Sequence, residues 1–244
     1  MTGLLVAAAV TMVVAGALHG LSGTGFALIA TPMLTLLLGA HEGLRVGLIA
    51  ALSVCVFALI GMWREVEWRR AALLALGGLV TAPLGYLVFR MLPPAVLLIT
   101  IGAMVLLMLV VGVVSRRPAA GASRAGLVAT GAVAGVIHVT SALSAPVFTA
   151  YALRTRWSPT AFTATVQVVF ISFNALSIAL WGPPAMGPCS LALLLAAILC
   201  GLLGGLALRR RASERVVLAV TTTVAVLAGI AAIVRGALEA GAAG

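Results

Sequence analysis

The chain has 244 residues, of which 63% are hydrophobic and only 8% charged. A soluble domain of this length carries about a quarter charged residues, so the composition excludes a soluble protein and predicts an all-α polytopic membrane protein. The net charge of +10 does not predict a nucleic-acid partner, because the 15 basic residues lie in short clusters between apolar segments.

Eight apolar segments predict the membrane-embedded part of the chain. Six are close to 20 residues long, which is enough for one bilayer crossing each. The first and fifth segments differ, because small and polar residues interrupt them before Pro32 and Pro146. We expect each of these two segments to be a broken helix or a re-entrant hairpin. The segments run approximately 3–38, 43–62, 71–90, 95–114, 125–152, 158–181, 190–208 and 215–234.

The first and fifth segments also share an unusual polar motif. Ala15–Gly25 contains His19, and the same frame, Ala-Gly-x-x-His-x-x-Ser-small-x-small, returns 119 residues later around His138. This repetition predicts a duplicated chain with a functional centre between its halves. We predict an N-terminal membrane repeat at 1–114, a linker at 115–124 and a C-terminal membrane repeat at 125–244.

The arginines predict the orientation. If the fifth segment enters and leaves on one side, twelve arginines gather on that side and three on the other, which places the arginine-rich loops in the cytoplasm. If the first segment also enters and leaves on one side, the two halves are inverted repeats. This architecture is typical of transporters of the cytoplasmic membrane. The twelve are Arg64, Arg69, Arg70, Arg116, Arg117, Arg124, Arg154, Arg156, Arg209, Arg210, Arg211 and Arg215, and the three are Arg45, Arg90 and Arg235.

Polar residues inside the apolar segments are the candidate binding residues. Ionisable groups in a bilayer are costly and tend to be functional, so paired histidines at matching repeat positions predict an anion donor or a proton carrier. The sixth segment has one polar face, because four of its polar residues fall within a sector of about 80°. The predicted substrate-binding set is His19, Ser22, Gly23, Thr24, Gly25, His138, Ser141, Ser144, Thr163, Gln167 and Asn174, with Ser177 completing that face.

Several stretches resemble the TauE/SafE family of membrane transporters, the sulfite exporter and sulfonate permease group. The resemblance lies in a glycine-rich first segment with Pro-x-Leu, a second-half proline and Phe-Thr-Ala-Thr motif, and a cytoplasmic Val-Glu-Trp-Arg loop. Phe26-Ala27, Val46-Gly47 and Ser144-Ala145 depart from the family's usual residues. The stretches are Gly16, Gly20–Gly25, Pro32–Leu34, Val66–Arg69, Pro146, Phe162–Thr165, Phe170 and Asn174.

The resemblance implies transport of small sulfur-containing anions such as sulfite, thiosulfate or a sulfonate, with export favoured. Broken helices support an anion independently, because their free amide groups and positive dipole ends suit negative ligands. Two alternatives remain open: an intramembrane serine protease using Ser22 and His138, and a transition-metal transporter using His19 and His138. The sequence predicts no enzyme activity, no cofactor and no bound metal, and it leaves a homodimer open.

Overall fold

The computed structural model describes residues 2–22, 26–114, 123–209 and 211–242. Within these ranges the chain forms helices and no strand, which confirms the predicted all-α class. A short 3-10 turn, Trp63–Glu65, precedes the fourth α-helix. The α-helices are α1 (Thr2–Ser22), α2 (Phe26–Leu38), α3 (Ala40–Ile60), α4 (Trp68–Phe89), α5 (Pro94–Val114), α6 (Arg124–Ser141), α7 (Ala145–Thr155), α8 (Pro159–Trp181), α9 (Pro188–Leu208) and α10 (Glu214–Ala242).

Six of the described helices are long and apolar enough to cross a bilayer, as expected for a multi-pass membrane protein. They are Gly3–Leu21, Ala40–Ile60, Trp68–Phe89, Pro159–Trp181, Pro188–Leu208 and Arg215–Ala242. The last of them continues well beyond the predicted end at 234. Gly236 lies in this extension, and its bare backbone packs closely against the carbonyl of Ala95, so tertiary contact compensates for the poor helix propensity of glycine.

Both segments predicted to be broken contain two helices. The first consists of α1 and α2, and the fifth of α6 and α7. Pro146 stands in the first turn of α7, where its missing N–H costs nothing, so it marks the start of a helix. Pro32 instead lies inside α2 and does not mark the break. That these pairs enter and leave on one side of the membrane stays a prediction.

The chain divides into two compact units. The first consists of Met1–Val54, Leu92–Leu106 and Pro183–Gly244, and the second of Cys55–Met91 and Leu107–Gly182. Each unit takes helices from both predicted halves: α9 and α10 join the first unit, and α4 joins the second. The predicted division at 115–124 concerns the ancestry of the chain and stays a prediction. Arg116, Arg117 and Arg210, which contribute to the predicted orientation, lie outside the described residues.

In the first unit, α1 and α9 cross with their backbones in close contact. A Cβ atom on Gly16 would collide with the carbonyl oxygen of Ile198, and one on Gly205 with the carbonyl oxygen of Ala17. Small residues permit this approach, which is how membrane helices gain packing energy without a hydrophobic driving force. Met12, Ile29 and Ile198 belong to the apolar core of this unit.

In the second unit, α4 and α6 make the corresponding crossing. A Cβ on Gly135 would collide with the backbone of Gly78, and one on Gly85 would press on the Cα of Val136 at 3.2 Å. The residues of the two crossings correspond in sequence. An offset of 119 residues relates Gly16 to Gly135 and Ala17 to Val136. An offset of 120 residues relates Gly78 to Ile198 and Gly85 to Gly205. The two units therefore contain the same helix crossing built from corresponding residues, as expected for a duplicated chain.

Candidate functional site

His138 is the centre of a buried polar network in the second unit. Its Nδ1 lies 2.8 Å from the Ser144 hydroxyl oxygen, and its Nε2 lies 3.2 Å from Oδ1 of Asn174. All three residues are buried. The imidazole also stacks on Phe170 and meets the edge of Phe173, with ring centroids 5.9 and 5.4 Å away. The network thus brings together three predicted site residues: His138 of α6, Asn174 of α8 and Ser144 of the break after α6.

The hydrogen bonds of Asn174 fix the proton arrangement of this network. Its Nδ2 donates to the carbonyl of Phe170 at 2.8 Å, so its Oδ1 is left as an acceptor. Nε2 of His138 must then carry the proton, and Nδ1 accepts from the Ser144 hydroxyl. This assignment satisfies both ring nitrogens of a neutral imidazole. His138 thereby fastens the break after α6 to α8.

The break after α6 has its own hydrogen-bond partners. Ala142 adopts the left-handed conformation at φ 57°, and its N–H bonds the carbonyl of His138 at 2.8 Å. The carbonyl of Val139 accepts a hydrogen bond from the Trp181 indole N–H at 2.8 Å. Backbone groups freed inside a membrane protein need such partners. The Trp181 side chain is buried, and its N–H caps this helix end.

Ser141 carries the other predicted hydroxyl of the second motif, and this hydroxyl bonds back to its own helix. Ser141 is buried, and its Oγ donates to the Ile137 carbonyl at 2.9 Å. Such back-bonding is the ordinary way for a helical serine to satisfy its hydroxyl. Ser141 therefore does not join the network of His138, although the sequence places the two residues one turn apart.

The polar face of α8 is buried over most of its length, as the sequence predicts for a face turned away from lipid. Gln167 is 5% exposed and makes no hydrogen bond with the described part of the chain. The hydroxyl of Ser177 is buried and has no described partner either. Thr163, nearer the start of the helix, is only partly buried and bonds the carbonyl of Pro159 at 2.8 Å. Free polar groups on this face are thus Gln167 and Ser177.

His19 stands in the first unit, in the last turn of α1. Its Nδ1 is buried and has no hydrogen-bond partner among the described residues. Gly23, Thr24 and Gly25 lie outside the described residues, as does the side chain of Ser22. At the offset of 119 residues, the sequence has Gly25 where Ser144 stands and Cys55 where Asn174 stands. The repeat therefore keeps the histidine but neither of the two side chains that bond His138.

A second polar cluster, which the sequence did not predict, surrounds Glu67 at the start of α4. Its Oε1 accepts from the Trp157 indole N–H at 2.8 Å, and its Oε2 pairs with Nε of Arg70 at 3.0 Å. The Arg70 guanidinium lies over the Trp157 ring at 4.5 Å, and the N–H of Glu67 donates to the Thr165 hydroxyl at 3.0 Å. This cluster ties the turn between α7 and α8 to α4, and it explains why Trp157 is buried.

The described part of the chain contains no preformed metal-binding site. No group of three or more His, Cys, Asp or Glu side chains there is placed to hold a metal ion. Both nitrogens of His138 are already bonded, so a metal or a catalytic serine at that ring would first have to displace Ser144 or Asn174. The arrangement fits a structural histidine better than either of the two alternative functions.

Comparison with known proteins shows the family of this chain. The model of the family described as "Sulfite exporter TauE/SafE" matches residues 8–232, which is nearly the whole chain. No curated protein and no solved structure matches the chain.

Proposed function

Because this chain belongs to the TauE/SafE sulfite exporter family, a family of membrane transporters, we propose that it carries a small sulfur-containing anion such as sulfite, thiosulfate or a sulfonate out of the cell. The family match over residues 8–232 is the observation that carries this proposal. Export agrees with the electrical driving force, since moving one negative charge out of a negative interior gains about 2.3 kcal/mol per 100 mV. No further coupling ion is then required.

We assign anion binding to the residues of the two broken segments and to the polar face of α8. The first group contains His19, whose buried Nδ1 has no described partner and is therefore available to a ligand. On α8, Gln167 offers an amide that the described residues leave unbonded. His138 supports this arrangement by holding the second break in place. The proposed set is His19, Ser22, Gly23, Thr24 and Gly25 in the first segment, His138, Ser141 and Ser144 in the second, and Thr163, Gln167 and Asn174 on α8.

Flux into proteoliposomes tests the proposal. Purified protein is reconstituted, a membrane potential is imposed, and uptake of labelled sulfite, thiosulfate and a sulfonate is measured. We expect saturable flux for at least one of these anions, and its loss in His19→Ala. Thr11→Ala is the matched control, because Thr11 is a buried polar residue of the same helix whose hydroxyl is satisfied by the Ala7 carbonyl at 2.9 Å. We expect this variant to keep flux within about twofold, because the Thr11 hydroxyl bonds only its own helix.

Three results would contradict the proposal. Flux no higher than in empty vesicles for every anion removes the substrate class. Cleavage of a membrane substrate that disappears in Ser22→Ala favours the protease. Uptake of a divalent transition metal that depends on both His19 and His138 favours the metal transporter.

We further propose that the protein lies in the cytoplasmic membrane with its arginine-rich loops inside. Arg154 and Arg156 are exposed at the turn between α7 and α8, where the predicted orientation is most sensitive to the hairpin. In a cysteine-free background, Arg154→Cys is expected to react with an impermeant maleimide only after the cells are opened. Labelling in intact cells would reverse the assigned orientation.

A further inference from the structure

Arg45, in the second turn of α3, is a cationic side chain without a hydrogen-bonded counter-ion. Its Nε is buried and has no hydrogen-bond partner among the described residues. The nearest carboxylate oxygen, Oε2 of Glu42, lies 3.9 Å from Nη1, which is beyond hydrogen-bond distance. The side chain as a whole is 30% exposed, so part of it is accessible to a solute although Nε itself is buried.

Glu42 lies 3.9 Å from Arg45 and offsets part of its charge, but it accepts no hydrogen bond from Arg45, because both carboxylate oxygens already accept backbone N–H groups. Oε1 accepts from the N–H of Met186, and Oε2 accepts from the N–H of Ala185, each at 3.0 Å. A carboxylate that accepts two amide hydrogen bonds is held in place by them. Glu42 thus anchors the loop before α9, and the donors of Arg45 are left over.

The start of α3 contributes positive potential near Arg45. Side chains of a helix tilt toward its N-terminus, so Arg45 extends along the first turn of α3, which begins at Ala40. The positive end of the helix dipole lies there. The guanidinium has a planar fork of donors that matches an oxyanion through two parallel hydrogen bonds.

We propose that Arg45 forms a second binding site for the transported oxyanion at the start of α3, with Nε–H and a neighbouring Nη–H as the two donors. The inference rests on the proposed function, since it names the residue that meets the anion as it enters or leaves the protein. The ligand would supply the acceptor that the buried Nε lacks, and a buried donor without an acceptor is costly.

Transport kinetics of three variants test this site. Arg45→Gln removes the charge and the fork, so we expect KM for sulfite to rise about tenfold or more while Vmax stays within about twofold. Arg45→Lys keeps the charge and loses the fork, and gives an intermediate KM. Arg90→Gln is the matched control, because Arg90 is an exposed arginine at the end of α4 that lies over the Tyr86 ring. Its KM remains that of the original protein.

A binding measurement separates this inference from the proposed function. The increase in melting temperature of the purified protein in sodium sulfate, relative to sodium chloride of equal ionic strength, is compared among the same variants. We expect a smaller increase in Arg45→Gln than in Arg90→Gln. An unchanged KM and an unchanged sulfate response in Arg45→Gln would overturn the site, and Arg45→Lys with the original KM would overturn the two-donor contact. Absence of flux with a sulfate response that still depends on Arg45 would instead overturn only the proposed function.

Discussion

The two histidine-bearing segments share one sequence frame but differ in their hydrogen bonds. His138 has both ring nitrogens bonded, to Ser144 and Asn174, whereas the buried Nδ1 of His19 has no described partner. The helix crossings next to the two residues are nevertheless built from corresponding glycines. The two segments therefore share their backbone packing and not their polar contacts. We therefore expect the two histidines to contribute differently to the stability of the fold.

The sharpest way to break this comparison is to remove each histidine singly. His138→Ala leaves the buried hydroxyl of Ser144 and amide oxygen of Asn174 without partners, so we expect a loss of about 2–4 kcal/mol in the free energy of unfolding. His19→Ala removes no hydrogen bond between described residues and costs less than about 1 kcal/mol. Equilibrium unfolding in mixed detergent micelles measures both. Equal losses would mean that His19 is also structural.

A further test replaces the two partners of His138 with the residues found at the corresponding positions around His19. The double substitution Ser144→Gly and Asn174→Cys introduces the residue types found at the corresponding positions, Gly25 and Cys55. We expect about 2 kcal/mol of destabilisation, because His138 loses both partners. In this background His138→Ala should cost less than about 1 kcal/mol more. A double-mutant cycle with no coupling would refute the network.

Filling the shared helix crossing with a methyl group is expected to lower the free energy of unfolding by about 1–3 kcal/mol. Gly201→Ala in α9 would press a methyl group into the carbonyl of Val13, and Gly131→Ala in α6 into the carbonyl of Leu74, so both variants are overpacked. Gly204→Ala, on the same helix as Gly201, meets nothing within 4 Å and should gain up to about 1 kcal/mol from helix propensity. If only one of the two variants Gly201→Ala and Gly131→Ala lowers the free energy of unfolding, the two helix crossings are not equivalent.

The smallest expected effect concerns Thr165, whose counterpart at the 119-residue offset is Val46. Both side chains are buried, but only Thr165 accepts the N–H of Glu67. Thr165→Val should therefore cost about 1 kcal/mol. Thr165→Ser, which keeps the hydroxyl, is expected to lose less. Unfolding midpoints of the two variants in the same detergent give the comparison, and equal midpoints would exclude a role for the hydroxyl.

The sequence predicted the helices well because apolar length and interruption are local properties. Most predicted segment ends agree within three residues, and the breaks before Phe26 and Ala145 were both expected. The hydrogen bonds were not predictable, because they depend on pairing across the fold. Asn174 lies 36 residues from His138, and Glu67 lies 90 residues from Trp157. The burial of Trp157 and Trp181 was not predictable for the same reason, since their hydrogen-bond partners are distant in sequence.

The glycine contacts also restrict how the protein can move. At several glycines where α1 meets α9, and where α4 meets α6, backbone lies directly against backbone. Sliding one helix past the other would drive carbonyl groups into each other, so each pair must be displaced as a single body. We expect the flexing of a transport cycle to occur in the connections at the ends of these pairs.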